Sequence, residues 1–241
     1  MFADDQGPSM DTFSGFPEAG LQFLRELAAH NERAWFEAHK QVYRQFVLEP
    51  AQALVVTLGE RLKVISQGII YDTRTNGSGS LMRIHRDTRF SKDKTPYNSY
   101  VTLMFWEGSG KKTENPGFGM RFDSDGGGIL AGMVHFPETM LSAYRRAVLD
   151  DELGEELVEV LDRVRRAGDY RIGGEHYKRM PQGLPPDHPR ADLLRYAALH
   201  AIWDQIRPAD LTSPALVDLC YVHCANMAPI QRWLVRVADS A

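Results

Sequence analysis

The chain has 241 residues, 43% of them hydrophobic and 25% charged, a balance that excludes a disordered polymer, a collagen-like repeat and a disulfide scaffold. Twenty-eight Lys and Arg against 32 Asp and Glu leave a net charge of −4, which argues against a surface that binds polyanions as a whole but leaves room for a local basic patch. The length fits one large domain or two small ones, and a domain of this size needs neither metal nor disulfide to hold its core.

Residues 1–12 read as a loose leader and 13–241 as a single domain. Asp4 and Asp5 stand where a secretory signal would be basic, and no apolar segment follows them. The longest uncharged run, Leu219 to Gln231, contains His223, Asn226 and Pro229 and is too short and too polar to span a bilayer. The only two cysteines, Cys220 and Cys224, lie four apart. Without a wider cysteine pattern, the expected compartment is the reducing cytoplasm.

Helical periodicity starts after Pro17, with Leu21, Phe23, Leu24 and Leu27. Asn31 is the expected N-cap of a second helix carrying Trp35, Phe36, Val42, Tyr43 and Phe46. Glu49-Pro50 is expected to interrupt it before a third helix with Leu54, Leu58, Leu62 and Ile65, stopped at Gly68. The period then changes. Ser80 to Arg86 alternates, with Met82 and Ile84 on one face and Arg83 and His85 on the other. Tyr100 to Trp106 is apolar on both faces, as in a strand covered on both sides. Gly117 to Asp123 sets Phe118, Met120 and Phe122 against Gly119 and Arg121. A turn over Asp123 to Gly128 leads to a strand from Ile129 to Phe136.

Helices are expected again from Pro137 and from Leu153 to Val164. An irregular stretch from Gly168 to Pro189 separates these from a helix near Arg190 to Ile206. A last helix opens at Ser213-Pro214 and reaches about Val237. The order predicts an α+β fold: a central antiparallel sheet of about four strands flanked by N-terminal and C-terminal helices.

The most unusual segment is Arg83 to Tyr97, RIHRDTRFSKDKTPY, whose five Lys or Arg and two Asp give it a local charge of +3, so that the remainder carries −7. Such reversal favours a small anion. Arg83, Arg86 and Arg89 offer forks for phosphate or carboxylate, Lys92 and Lys94 add point charges, and Ser91 adds a hydroxyl. A structural reading stands beside this one: Asp87 between Arg86 and Arg89, and Asp93 between Lys92 and Lys94, suit an ion network that pins a long loop. Nucleic-acid contact is disfavoured, because no RNP-type aromatic pattern, basic helix or zinc-finger spacing accompanies the charges.

This segment resembles the signature of a widespread bacterial family, family 2461 of the domains of unknown function. The opening from Phe13 to Phe36, the segment Lys178 to Gly183 with Asp187-His188-Pro189, and the ending around Pro229 to Leu234 are similar too. The chain departs from the family pattern at His85, Asn98 and Tyr177, where Tyr, Lys and Leu are more usual. The resemblance implies a cytosolic α+β domain and no established activity, substrate or cofactor.

Arg121 lies on the glycine-bearing face of its strand, and a strand glycine often marks close approach by a ligand. If the faces coincide, Arg83, His85 and Arg121 form a basic concavity rimmed by Arg86, Asp87 and Arg89. Lys178 and Arg179, on the proline-rich later loop, are expected to fold over it or to remain a solvated basic loop. His85 and Asp87 are the candidate proton carriers, His85 because its ordinary pKa of about 6.5 permits both roles. No metal set is expected. Cys220, His223 and Cys224 sit within one helical turn and read as core residues, and Asp123 lacks the glutamate a calcium loop would place at Val134. Nucleophile elbows and phosphate loops are absent.

The reading is thus a cytoplasmic protein with a basic pocket for a small phosphate- or carboxylate-bearing ligand. The alternatives are a protein-interaction module using the charged central loop and a phosphoester-directed enzyme. No membrane association is expected, and cofactor and oligomeric state stay open.

Overall fold

A computed structural model describes residues 12–174 and 176–240; the expected leader lies almost wholly outside the described residues. The fold is α+β. Among the described residues its sheet has six strands rather than about four, all antiparallel: β1 (Ile69–Ile70), β2 (Val101–Glu107), β3 (Gly117–Asp123), β4 (Gly126–Met133), β5 (Arg171–Gly173) and β6 (Leu199–Ile206), in the order β1-β2-β3-β4-β6-β5.

β3 falls where its alternation puts it, with Phe118, Met120 and Phe122 buried. β4 starts earlier than expected. Gly126, Gly127 and Gly128 belong to the strand, leaving Ser124-Asp125 as the turn. Gly126 has a φ of +130°, a conformation that a side chain would strain. β6 replaces part of the helix expected over Arg190 to Ile206. Ala197, Ala198 and Ala201 are good helix formers, but Leu199–Ile206 is flanked by β4 and β5, and pairing on both sides overrides local propensity. Ser80 to Arg86 is not a continuous strand. It is bridged to β2 at Leu81, opposite Leu103, with Met82 N–H donating to Thr102 O at 2.9 Å and Met104 N–H to Ser80 O at 3.0 Å, and it pairs again at His85, opposite Tyr97.

Helices α1 (Glu18–Ala29), α2 (Arg33–Tyr43) and α3 (Glu49–Leu62) open the chain. Pro50 does not break the second helix from the third. A π-turn over Arg44–Leu48 absorbs it, and Pro50 sits in the first turn of α3, where its missing N–H costs least. After β4 come α4 (Glu138–Leu149) and α5 (Asp151–Ala167). Asp150 caps α5 by accepting from Glu152 N–H at 3.0 Å and Leu153 N–H at 2.8 Å. A short turn, α6 (Pro208–Leu211), precedes α7 (Leu216–Asp239), which continues through Pro229.

The helices of both termini cover the same side of the sheet. Cys220 and Cys224 of α7 and Leu58 of α3 face Phe105, Phe118, Met120 and Ile129, and Phe16 packs on Phe122 at 4.6 Å. The opposite side of the central strands is left open, which corrects the expectation that β2 is covered on both faces. Val101, Leu103 and Phe105 are buried toward the helices, whereas Thr102 and Met104 are only half-buried on the other side.

Candidate functional site

The basic motif folds as a closed loop beside the β1–β2 edge. Arg86 N–H donates to Pro96 O at 2.9 Å and Asn98 N–H to Ile84 O at 2.7 Å, joining its two ends around His85 and Tyr97. Tyr97 stacks on Phe36 of α2 at 4.1 Å, and the exposed His85 ring lies 5.1 Å from Tyr97 and 6.0 Å from Phe36.

Most of the loop's charge is spent internally. Arg86 Nη1 donates to Thr95 O at 3.2 Å, to Thr95 Oγ1 and to Asp93. Arg89 forks onto Asp87, Nε to Oδ1 at 2.9 Å and Nη2 to Oδ2 at 2.7 Å. Lys94 Nζ donates to Thr88 O at 2.9 Å. The Arg89 side chain, helped by its own N–H, holds the Asp87 carboxyl down at about 2. The Thr95 N–H, followed by Arg86, holds Asp93 at about 2 as well. Asp87 is therefore ionised near neutrality and has no proton to donate. Of the loop's basic side chains, those of Arg83 and Lys92 have neither a hydrogen-bond nor an ion-pair partner among the described residues. At the loop's tip Phe90 is 95% exposed.

Lys178 and Arg179 do not fold over this motif. Their segment is bound to the far edge of the sheet, where Tyr177 N–H donates to Arg195 O at 2.8 Å and the Arg195 guanidinium returns to the Tyr177 and Lys178 carbonyls. His176 pairs with Tyr196 just ahead of β6. The motif and the second cluster thus sit at opposite edges, β1 and β5, with four strands between them.

The expected concavity of Arg83, His85 and Arg121 is not assembled either. His85 leans toward α2 and Arg83 lies against Gly77. Arg121 projects from the open face of β3, its guanidinium 4.6 Å from the centre of the Tyr100 ring and its Nε donating to Thr102 Oγ1 at 3.1 Å. There it borders a groove of about 600 Å³ across β2, β3 and β4. Pairing builds the floor row by row: Thr102 opposite Arg121 opposite Gly128, then Met104 opposite Gly119 opposite Leu130, then Trp106 opposite Gly117 opposite Gly132. Met82 and Ile202 extend the apolar walls. At the end formed by the β2–β3 connection, Lys112 is buried, with its ammonium donating to Gly77 O at 3.0 Å and to Gly79 O. Burial pushes its pKa down.

Sequence reasoning named Arg121 and the glycines beside it but missed the rest of this lining. Gly117 and Gly119 were its one local signal; Tyr100, Met104, Trp106 and Leu130 become neighbours only through strand pairing. Among the described residues no cluster of three or more His, Cys, Asp or Glu could hold a metal ion. No helix among them is long and apolar enough to cross a membrane.

Fold and site together describe an α+β protein with one helix-covered and one open sheet face, edged by a self-paired charged loop. The family described as conserved hypothetical protein, DUF2461, matches residues 19–233, and the chain belongs to it. Comparison with curated proteins gives no match.

Proposed function

We propose that the protein binds a small ligand bearing a carboxylate or phosphate, with the ligand's body over Gly119 and its anion on Arg121. Gly119 carries this reading. It lies in the middle of a central strand, where glycine weakens pairing and packs nothing. A Cβ built there would meet only Leu103 O at 3.6 Å and Leu130 Cβ at 4.0 Å, ordinary contact distances. The chain's own packing does not require glycine at this position, so the space above it is what a side chain would remove. A concave, mostly apolar groove with one polar anchor is also the usual form of a small-molecule site.

A thermal-shift screen of carboxylates, sugar phosphates and nucleotides tests the proposal on the wild type, Gly119→Val and Arg121→Ala. A ligand at 100 times its Kd adds about 2.7 kcal/mol, roughly 5–11 °C for a domain of this size. The expected result is a hit lost in both variants, with the Tm of ligand-free Gly119→Val not lowered. A hit that survives Gly119→Val refutes the reading.

A second reading rests on Phe90. An aromatic ring at 95% exposure, two residues from Lys92, whose side chain is unpaired among the described residues, on a loop closed by its own ion pairs, suits docking onto an acidic protein surface. Charge reversal at Lys92 together with Phe90→Ala abolishes partner capture under this reading and leaves the groove's ligand untouched.

A further inference from the structure

Resting on the groove reading, we infer that the ligand is a medium-chain fatty carboxylate, its head on Arg121 and its tail running along β3 toward Trp106. Of the two cations on the groove's lining, Arg121 and Lys112, Arg121 is the one with free donors. Arg121 uses Nε on Thr102, and its two terminal nitrogens have no partner among the described residues. One planar fork of this kind matches one carboxylate in charge and geometry, whereas a phosphate monoester dianion would call for further donors. Asp123, the acidic side chain on the lining, is engaged in the β3–β4 turn, where its Oδ1 accepts Asp125 N–H at 2.8 Å.

The opposite end is lined by Lys112, Thr113 and Asn115, and the Asn115 amide nitrogen is spent on the Ser109 and Lys111 carbonyls. Lys112 is the cation on the lining there, and its ammonium already serves two carbonyls; Arg83, which lies against Gly77, is not on the lining. A ligand charged at both ends would leave its far anion unpaired. An apolar tail fits instead, between Met104 on β2 and Leu130 on β4. Methionine side chains adapt to flexible chains better than branched ones do.

Length follows from the register. Arg121 and Gly117 are four residues apart on β3, roughly 13 Å at strand rise. An extended chain covers about 3.5 Å in three bonds, so the trough takes on the order of ten carbons before the tail meets Trp106 and the β2–β3 connection.

Calorimetric titration of the full chain with butanoate, octanoate, decanoate and tetradecanoate, all below their micellar concentrations, tests the inference. Affinity is expected to rise about fourfold per methylene up to roughly ten carbons and then to level off. Arg121→Ala should weaken decanoate at least tenfold while leaving decanol unaffected, and Gly119→Val should abolish both. A flat chain-length series, with a compact aromatic acid or a sugar phosphate binding in a Gly119-dependent way, overturns the fatty-acid inference and leaves the groove reading standing. If no compound binds in a Gly119-dependent way, both fail. Both fail also if sedimentation shows a dimer that Gly119→Val dissociates, because a second copy then covers the face.

Discussion

Asn31 grips the main chain of Tyr97 with both ends of its amide: Nδ2 donates to Tyr97 O at 2.9 Å and Oδ1 accepts from Tyr97 N–H at 3.0 Å. The side chain thus imitates a strand neighbour and ties the end of the charged loop to the junction of α1 and α2. Local pattern alone makes Asn31 a helix cap. In the structure Glu32 takes the N-cap position of α2, without a side-chain cap bond.

Asn31→Ala removes two hydrogen bonds and strands a partly buried N–H and C=O. The expected loss is about 2 kcal/mol, a fall in Tm of roughly 4–8 °C, measured by thermal or urea unfolding. Asn31→Asp keeps the acceptor but turns a carboxylate oxygen toward a carbonyl, and should be no better than alanine.

Arg86 and Arg89 should part company when each is changed to alanine. The Arg86 side chain is 24% exposed and holds both Thr95 and Asp93; its loss should cost about 1–2 kcal/mol. The Arg89 side chain is 77% exposed, forks onto Asp87 and lies 5.8 Å from the centre of the Phe90 ring. Solvent screens such a pair, so Arg89→Ala should lower the Tm by less than Arg86→Ala does.

Acid should loosen the loop before it unfolds the protein. Asp87 and Asp93 have carboxyl pKa values held at about 2, below the ordinary 3.8. The folded state therefore favours the ionised form, and the stabilisation is complete above pH 4. It is lost as pH falls from about 4 through 2, where the carboxylates protonate in the folded loop. The Thr95 amide resonance, followed by NMR against pH, should move in this window in the wild type and not in Asp93→Asn.

Cys220 and Cys224 are free and buried in α7, and burial pushes the Cys220 thiol up to about 12 and Cys224 well above its usual value. Neither supplies thiolate at neutral pH. A thiol reagent should label no cysteine in the native protein and both after denaturation, with kinetics that follow unfolding.

How far the sequence discloses this molecule depends on how local each feature is. β3 was legible because Phe118, Met120 and Phe122 alternate with small or charged residues. β6 was not, because three alanines carry a helical preference that only the β4 and β5 partners overrule. The charged loop was visible as composition, but the choice of Asp93 and Thr95 as partners of Arg86 depends on how the loop closes. The groove was almost invisible. Its lining comes from separate strands, and the open side of β2 reads in sequence like any buried apolar strand.

The groove account is tested most directly by mapping amide shifts in the full chain as decanoate is added. It predicts that the perturbed residues are Thr102, Met104, Gly119, Arg121 and Leu130, on the open face, with the loop from Asp87 to Lys94 silent. Shifts confined to that loop, or spread over the helix-covered side, would contradict it.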